Sequence, residues 1–213
     1  MKKQKKQKLC TALGSLAAFT LWTAVIRLVD VQAIGPQGSA VGLATLNGLF
    51  HDLTGVHWSL YLITDWLSLV PVGMVLGFGV LGLTQWVKRK SLLKVDRSIL
   101  VLGGFYLVVL AVYGFFEVYA VNYRPVLIEG VLEVSYPSST TMLVMTVMPT
   151  AALQLKSRLH DPALRRGIVF AIIAFTAFMV VSRLVSGVHW VTDIIGGGLL
   201  SAGLVMLYDS LAT

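Results

Sequence analysis

Apolar residues along the chain come in long unbroken blocks, not in the alternation of a half-buried strand or the stripe of a surface helix. Six blocks contain no Asp, Glu, Lys or Arg: residues 9–26, 66–87, 98–116, 134–155, 167–182 and 194–208. A helix rises ~1.5 Å per residue and the hydrocarbon layer is ~30 Å thick, so about 17 to 25 such residues cross it. The pattern predicts six transmembrane helices, at about 9–29, 66–87, 98–117, 136–155, 167–185 and 192–210, in one all-α polytopic membrane domain over 1–213. The last two blocks are short because Arg183 and Asp193 bound them, and such charges are tolerated where they face an internal polar site.

A seventh charge-free run, 31–51, contains Gly35, Pro36, Gly38, Gly42 and Gly48 with Gln32, Gln37 and Asn47, and reads as extramembrane. Val41, Leu46, Leu49, Phe50 and Leu53 stand at near-helical spacing, so an amphipathic helix in the interface and a structured loop both fit.

Composition agrees with this pattern. Apolar residues make up 56% of the chain and charged ones 13%, against about 25% in soluble domains. A water-soluble globule and a disordered chain are thereby excluded, and the single cysteine, Cys10, excludes a disulfide framework or thiolate metal cluster. The net charge of +7 raises nucleic acid as a partner, but its distribution points to membrane lipids instead. All basic residues except Arg27, Arg124 and Arg183 fall in three clusters, at Lys2–Lys8, Lys88–Arg97 and Lys156–Arg166. Two crossings separate each cluster from the next, so all three face the cytoplasm, as the positive-inside rule demands. Both termini are then cytoplasmic, and segments 27–65, 117–136 and 183–193 face outward. The first block exceeds the usual h-region of a signal peptide and lacks a small-x-small cleavage site, so a retained anchor is expected.

The outlying arginines mark the chemistry. Arg124 stands in Asn122-Tyr123-Arg124-Pro125, and Arg183 opens Ser182-Arg183-Leu184-Val185-Ser186-Gly187-Val188-His189-Trp190-Val191-Thr192-Asp193. Between them, Tyr136-Pro137-Ser138-Ser139-Thr140-Thr141 reads as a helix start, whose free amides and positive dipole end attract anions. Two guanidiniums brought there would hold phosphate oxygens in planar forks. His189 and Asp193, four apart, would share a helix face, with the carboxylate accepting one imidazole N–H and leaving the other nitrogen as a nucleophile or base. A polar pair that merely caps the last helix is the plainer alternative.

Ser182-Arg183, His189 and Asp193 at this spacing, with Gly187 and Trp190, resemble the third signature of the type 2 phosphatidic acid phosphatase (PAP2) superfamily. Tyr136-Pro137-Ser138-Ser139-Thr140 resembles its Pro-Ser-Gly-His motif, and Arg124-Pro125 the end of its Lys-(six)-Arg-Pro motif. The resemblance covers about 117–193. It implies a metal-independent phosphatase, without cofactor, acting on lipid phosphates or diphosphates through a phosphohistidine at the outer face of a bacterial plasma membrane. His189 would be the nucleophile, Asp193 its partner, and Arg124, Arg183, Ser138 and Ser139 the phosphate ligands. Two positions depart from the family: Glu117 stands where it has lysine, and Thr140 where it has the histidine that protonates the leaving group. Ser139 also replaces glycine.

Thr140 would then hydrogen-bond phosphate or relay a proton from water, and preference would move toward polyprenyl diphosphates, whose leaving phosphate needs protonation less. Glu117, Glu129 and Glu133 are candidate replacement acids. A homologue that binds phospholipid or phosphate without efficient turnover is the competing reading, and a small transporter a third. Among the remaining polar residues, Asp65 is expected to cap the second span, with a site role as the alternative, Arg27 to reach toward Asp30, and His51 and His57 to be solvated or hydrogen-bonded loop residues, with supply of the missing proton as the alternative.

Overall fold

The computed structural model describes residues 2–212. Eight α-helices follow in order: α1 Lys2–Leu28, α2 Ala44–Thr54, α3 Trp58–Leu67, α4 Leu69–Arg89, α5 Arg97–Val118, α6 Ser139–Arg158, α7 Pro162–Val185 and α8 Val191–Ala212. Among the described residues there is no strand, only isolated antiparallel bridges such as Tyr123–Val134. The all-α membrane fold is as the apolar blocks predict.

Five stretches are long and apolar enough to cross a bilayer: Lys3–Leu28, Trp58–Arg89, Arg97–Val118, Pro162–Val185 and Val191–Ala212. α6 has the length but carries five threonine and serine hydroxyls from Ser139 to Thr150, and much of it is buried. It packs against α4, α5, α7 and α8, whose side chains take the place of lipid around it. Such shielding permits a polar sequence at membrane depth.

α8 is the hub. Two-thirds of its most apolar window is buried (67%), against 11–22% for the other four stretches. Small residues let neighbours approach it closely, as is common where bilayer helices cross. Gly196 lies directly beneath the Tyr136 ring, Gly197 against Thr141 and Gly203 against Leu16. Any side chain at Gly196 would overlap that ring.

The second apolar helix begins earlier than the charge pattern suggests. α3 and α4 run on across Ser68, which keeps helical dihedrals, so Asp65 lies inside a long helix and not at its cap. A carboxylate survives there because its partner is Arg183. Segment 31–51 contributes the amphipathic helix α2, followed by a turn at Gly55. This outer element is bonded to the bundle: Asn47 Nδ2 donates to Thr192 Oγ1 (3.0 Å), and His57 N donates to Ser186 O (2.9 Å). Gly187, at φ +68°, sits so close to the Gly55 carbonyl that a side chain would collide with it. The connection between α7 and α8 is thus clamped from above.

Candidate active site

Three connections meet at one pole of the bundle. The segment after α5 folds back on itself, with Arg124 N donating to Glu133 O (3.0 Å) and Ser135 N to Asn122 O (2.9 Å), which sets Arg124 and Ser135 side by side. Ser138 N donates to Asp193 O (3.1 Å), joining the start of α6 to the start of α8. Trp190 Nε1 donates to Tyr123 O (2.7 Å), closing the ring of connections.

α8 starts where it does because Asp193, in its first turn, reaches back to the Trp190 amide (2.9 Å). This reciprocal capping leaves His189 in the connection ahead of the helix. The direct helix-face contact expected between His189 and Asp193 is therefore absent: Nδ1 and Oδ2 are 3.8 Å apart, too far for a hydrogen bond. Ser135 fills the gap. Its Oγ is 3.0 Å from His189 Nδ1 and bonded to Asp193 Oδ2.

The tautomer follows from the partners. Arg124 Nη1 lies 3.1 Å from His189 Nε2, and a guanidinium can only donate, so Nε2 presents its lone pair. Nδ1 then carries the proton and donates to Ser135, whose hydroxyl donates in turn to Asp193. Asn122 Nδ2 adds a longer bond to Asp193 Oδ1 (3.5 Å). His189 is 4% exposed and Asp193 0%. Burial, reinforced by Arg124 and then Arg183, holds the imidazole well below its ordinary value of 6.5 and so neutral.

The two arginines approach from opposite sides. Arg183, 2% exposed, donates through Nη1 to Thr64 Oγ1 (3.0 Å) and Tyr61 O (3.2 Å), and through Nη2 to Thr140 Oγ1 (2.7 Å) and Asp65 Oδ1 (3.3 Å). It also lies over the Tyr61 ring, 4.8 Å from the centroid. Arg124, 8% exposed, has fewer ties: His189, the Val188 carbonyl (3.4 Å) and Glu133, whose Oε2 is 3.0 Å from its Nε.

His189, Asp193, Arg124, Arg183, Ser138 and Thr140 are all buried at this pole, with Ser139 half-buried beside them. Ser138 Oγ caps α6 by accepting from Thr141 N (3.5 Å). Glu117 is exposed near the end of α5, lining a small cleft with Tyr113, Ser135 and Ser139. Glu129 lies on the exposed turn between Ile128 and Val131, away from the arginines' bonds. Arg27 turns to Tyr119 instead of Asp30, whose carboxylate accepts from Thr45 N (2.7 Å). His51 packs beside Trp190 with ring centroids 5.5 Å apart.

Sequence reasoning gave no role to Ser135, Asn122, Tyr61 or Thr64 and favoured a cap over a site role for Asp65. Asn122 and Ser135 stand within or beside the motifs, so proximity was their one available signal. Tyr61 and Thr64, far away in sequence, gave none.

An apolar groove of about 550 Å³ lies between α4, α5 and α6. Val72, Leu76, Leu107 and Leu110 line its walls, and Asp65, Ser68, Ser139 and Thr140 stand at its head. The pole thus brings a guanidinium to the imidazole lone pair at Arg124 and a second one, Arg183, to Thr140 at the head of the apolar groove.

A sequence model described as the PAP2 superfamily matches residues 106–211, the half of the chain that carries every one of these motifs. The chain belongs to the PAP2 superfamily. In three dimensions it is similar to the crystal structure of the first transmembrane PAP2-type phosphatidylglycerolphosphate phosphatase from Bacillus subtilis, with a TM-score of 0.52 and 22% sequence identity over 94% of this chain and 95% of that one. No curated protein matches the sequence.

Proposed function

We propose that the protein is a membrane-embedded phosphatase that hydrolyses lipid phosphates or diphosphates at the outer face, through a phosphohistidine on His189. The observation that carries this is the disposition of His189: a neutral ring with Nε2 unprotonated, its tautomer held by Ser135 and Asp193, and a guanidinium directly in front. On this reading the chain crosses six times, with α6 as the fourth crossing, both termini are cytoplasmic and this pole faces outward from the plasma membrane; the even number of crossings between the basic clusters supports it.

In the first step the Nε2 lone pair attacks phosphorus and the ester oxygen departs. Arg124 releases Nε2 to bind the phosphate, and Arg183, Ser139 and the first amides of α6 stabilise its equatorial oxygens. Asp193 steadies the developing imidazolium through Ser135. Water from the outer phase then attacks the phosphohistidine, forming inorganic phosphate and returning the electron pair to Nε2. Thr140 cannot protonate the leaving group as histidine does, which favours diphosphates such as polyprenyl diphosphate unless another acid supplies the proton. Phosphatidylglycerol phosphate, the substrate in the neighbour's name, belongs in the same test.

Phosphate release by purified protein across lipid mono- and diphosphates, with His189→Ala as control, tests the proposal. Release that vanishes in the variant, with labelled phosphate trapped on wild type, supports it. No release above the control on any substrate supports the competing reading of a phosphate-binding homologue without efficient turnover, for which Thr140 is the motivating residue.

A further inference from the structure

We propose that Asp65 is the proton donor to the leaving group, standing in for the histidine that Thr140 replaces; this rests on the phosphatase reading above. Two features of the structure converge. Asp65 Oδ1 and Thr140 Oγ1 bond to the same nitrogen, Arg183 Nη2, at 3.3 and 2.7 Å, so a carboxyl from α3 occupies the neighbourhood of the vacated position. Asp65 and Thr140 also stand together at the head of the apolar groove.

The second point fixes which oxygen Asp65 meets. In a lipid phosphate the ester oxygen links the phosphoryl group to the hydrocarbon. With phosphate held by the arginines and the chain in the groove, that oxygen lies at the junction, beside Asp65. Other carboxyls are worse placed. Glu133 pairs with Arg124 and does not line the groove, Glu129 lies on an exposed turn, and Glu117 lines an adjoining cleft that includes neither Thr140 nor Arg183. Arg183 Nε is buried with no partner, leaving a donor for an incoming phosphate oxygen.

The proton comes with the substrate. A phosphomonoester whose second ionisation lies near pH 6 arrives partly protonated. Asp65, which shares Arg183 Nη2 with Thr140, relays that proton from the bound phosphate to the ester oxygen. As the N–P bond forms and the P–O bond breaks, the bonding pair stays on the ester oxygen, which takes the relayed proton and leaves as an alcohol. In the second step Asp65 accepts a proton from the attacking water and passes it to the departing phosphate.

A series in leaving-group basicity tests this assignment. Asp65→Asn is expected to lower kcat on phosphatidic acid, an alkoxide leaving group, by about 10²-fold or more. Turnover of p-nitrophenyl phosphate, whose phenolate departs unassisted, falls only a few-fold from the lost ion pair. Asp65→Glu keeps much of the phosphatidic acid activity, and adding Thr140→His to Asp65→Asn restores it from the family's own position. Equal losses on both substrates, or no loss on either, overturn the proposal. His189→Ala separates it from the parent reading: undiminished activity in that variant removes the phosphohistidine mechanism whatever Asp65 does.

Discussion

Arg183 and Arg124 bring the same group to the same anion site but are held in opposite ways. Arg183 is held through both terminal nitrogens by Tyr61, Thr64, Asp65 and Thr140 and is almost wholly buried. Arg124 leans on His189, one carbonyl and a half-exposed glutamate. A cation with many fixed partners is a part of the scaffold, whereas one that covers His189 Nε2 would, under the proposed mechanism, change partner in every cycle. The contrast separates stability from turnover.

Removing each arginine should break the pair apart most clearly. Arg183→Ala is expected to abolish activity and also lower stability by about 3 kcal/mol, because Thr64 and Thr140 lose a buried charged partner. Arg124→Ala should lose about 10²- to 10³-fold in kcat, the usual scale for one charge-stabilising donor, with the melting temperature in detergent almost unchanged. Equal losses of melting temperature in both variants would erase the distinction.

A smaller effect is expected at the link behind the imidazole. Ser135→Ala should lower kcat about 10²-fold with little change in KM, since it disconnects Asp193 without touching the phosphate. Ser135→Thr, which keeps the hydroxyl, should recover most of that loss. A Ser135→Ala variant as active as wild type would show that the carboxylate reaches the ring unaided.

The smallest effect concerns pH. His189 is held neutral in the folded protein, so the unfolded chain takes up the proton first. Its contribution to stability is complete above about pH 6.5 and is lost as the pH falls below that value. The melting temperature in detergent should decline on going from pH 7 to pH 5, less so in His189→Gln. It should also decline less in Arg124→Ala, which removes the nearer of the two opposing cations.

The fold was legible because bilayer crossing imposes a long, coarse pattern that survives any detail of packing. α6 shows where that legibility ends: its length was readable, but its polar character makes sense only once four neighbours surround it. At the site, motif spacing brought His189, Asp193, Arg124 and Arg183 into view. The geometry between His189 and Asp193 was not readable, because it depends on where α8 starts, and that depends on an amide that Asp193 itself caps. Asp65 lay further out of reach. Its meaning comes from a pairing across 118 positions, and an isolated carboxylate near a tryptophan has the same appearance as an ordinary cap.

Under the proposed function, the groove between α4, α5 and α6 would take the hydrocarbon part of a lipid substrate. A reactant that reached it along the plane of the sheet of lipids would never pass through bulk water. Its effective concentration is a mole fraction in two dimensions, and dilution with inert lipid or detergent slows the encounter even when the total amount per millilitre stays fixed.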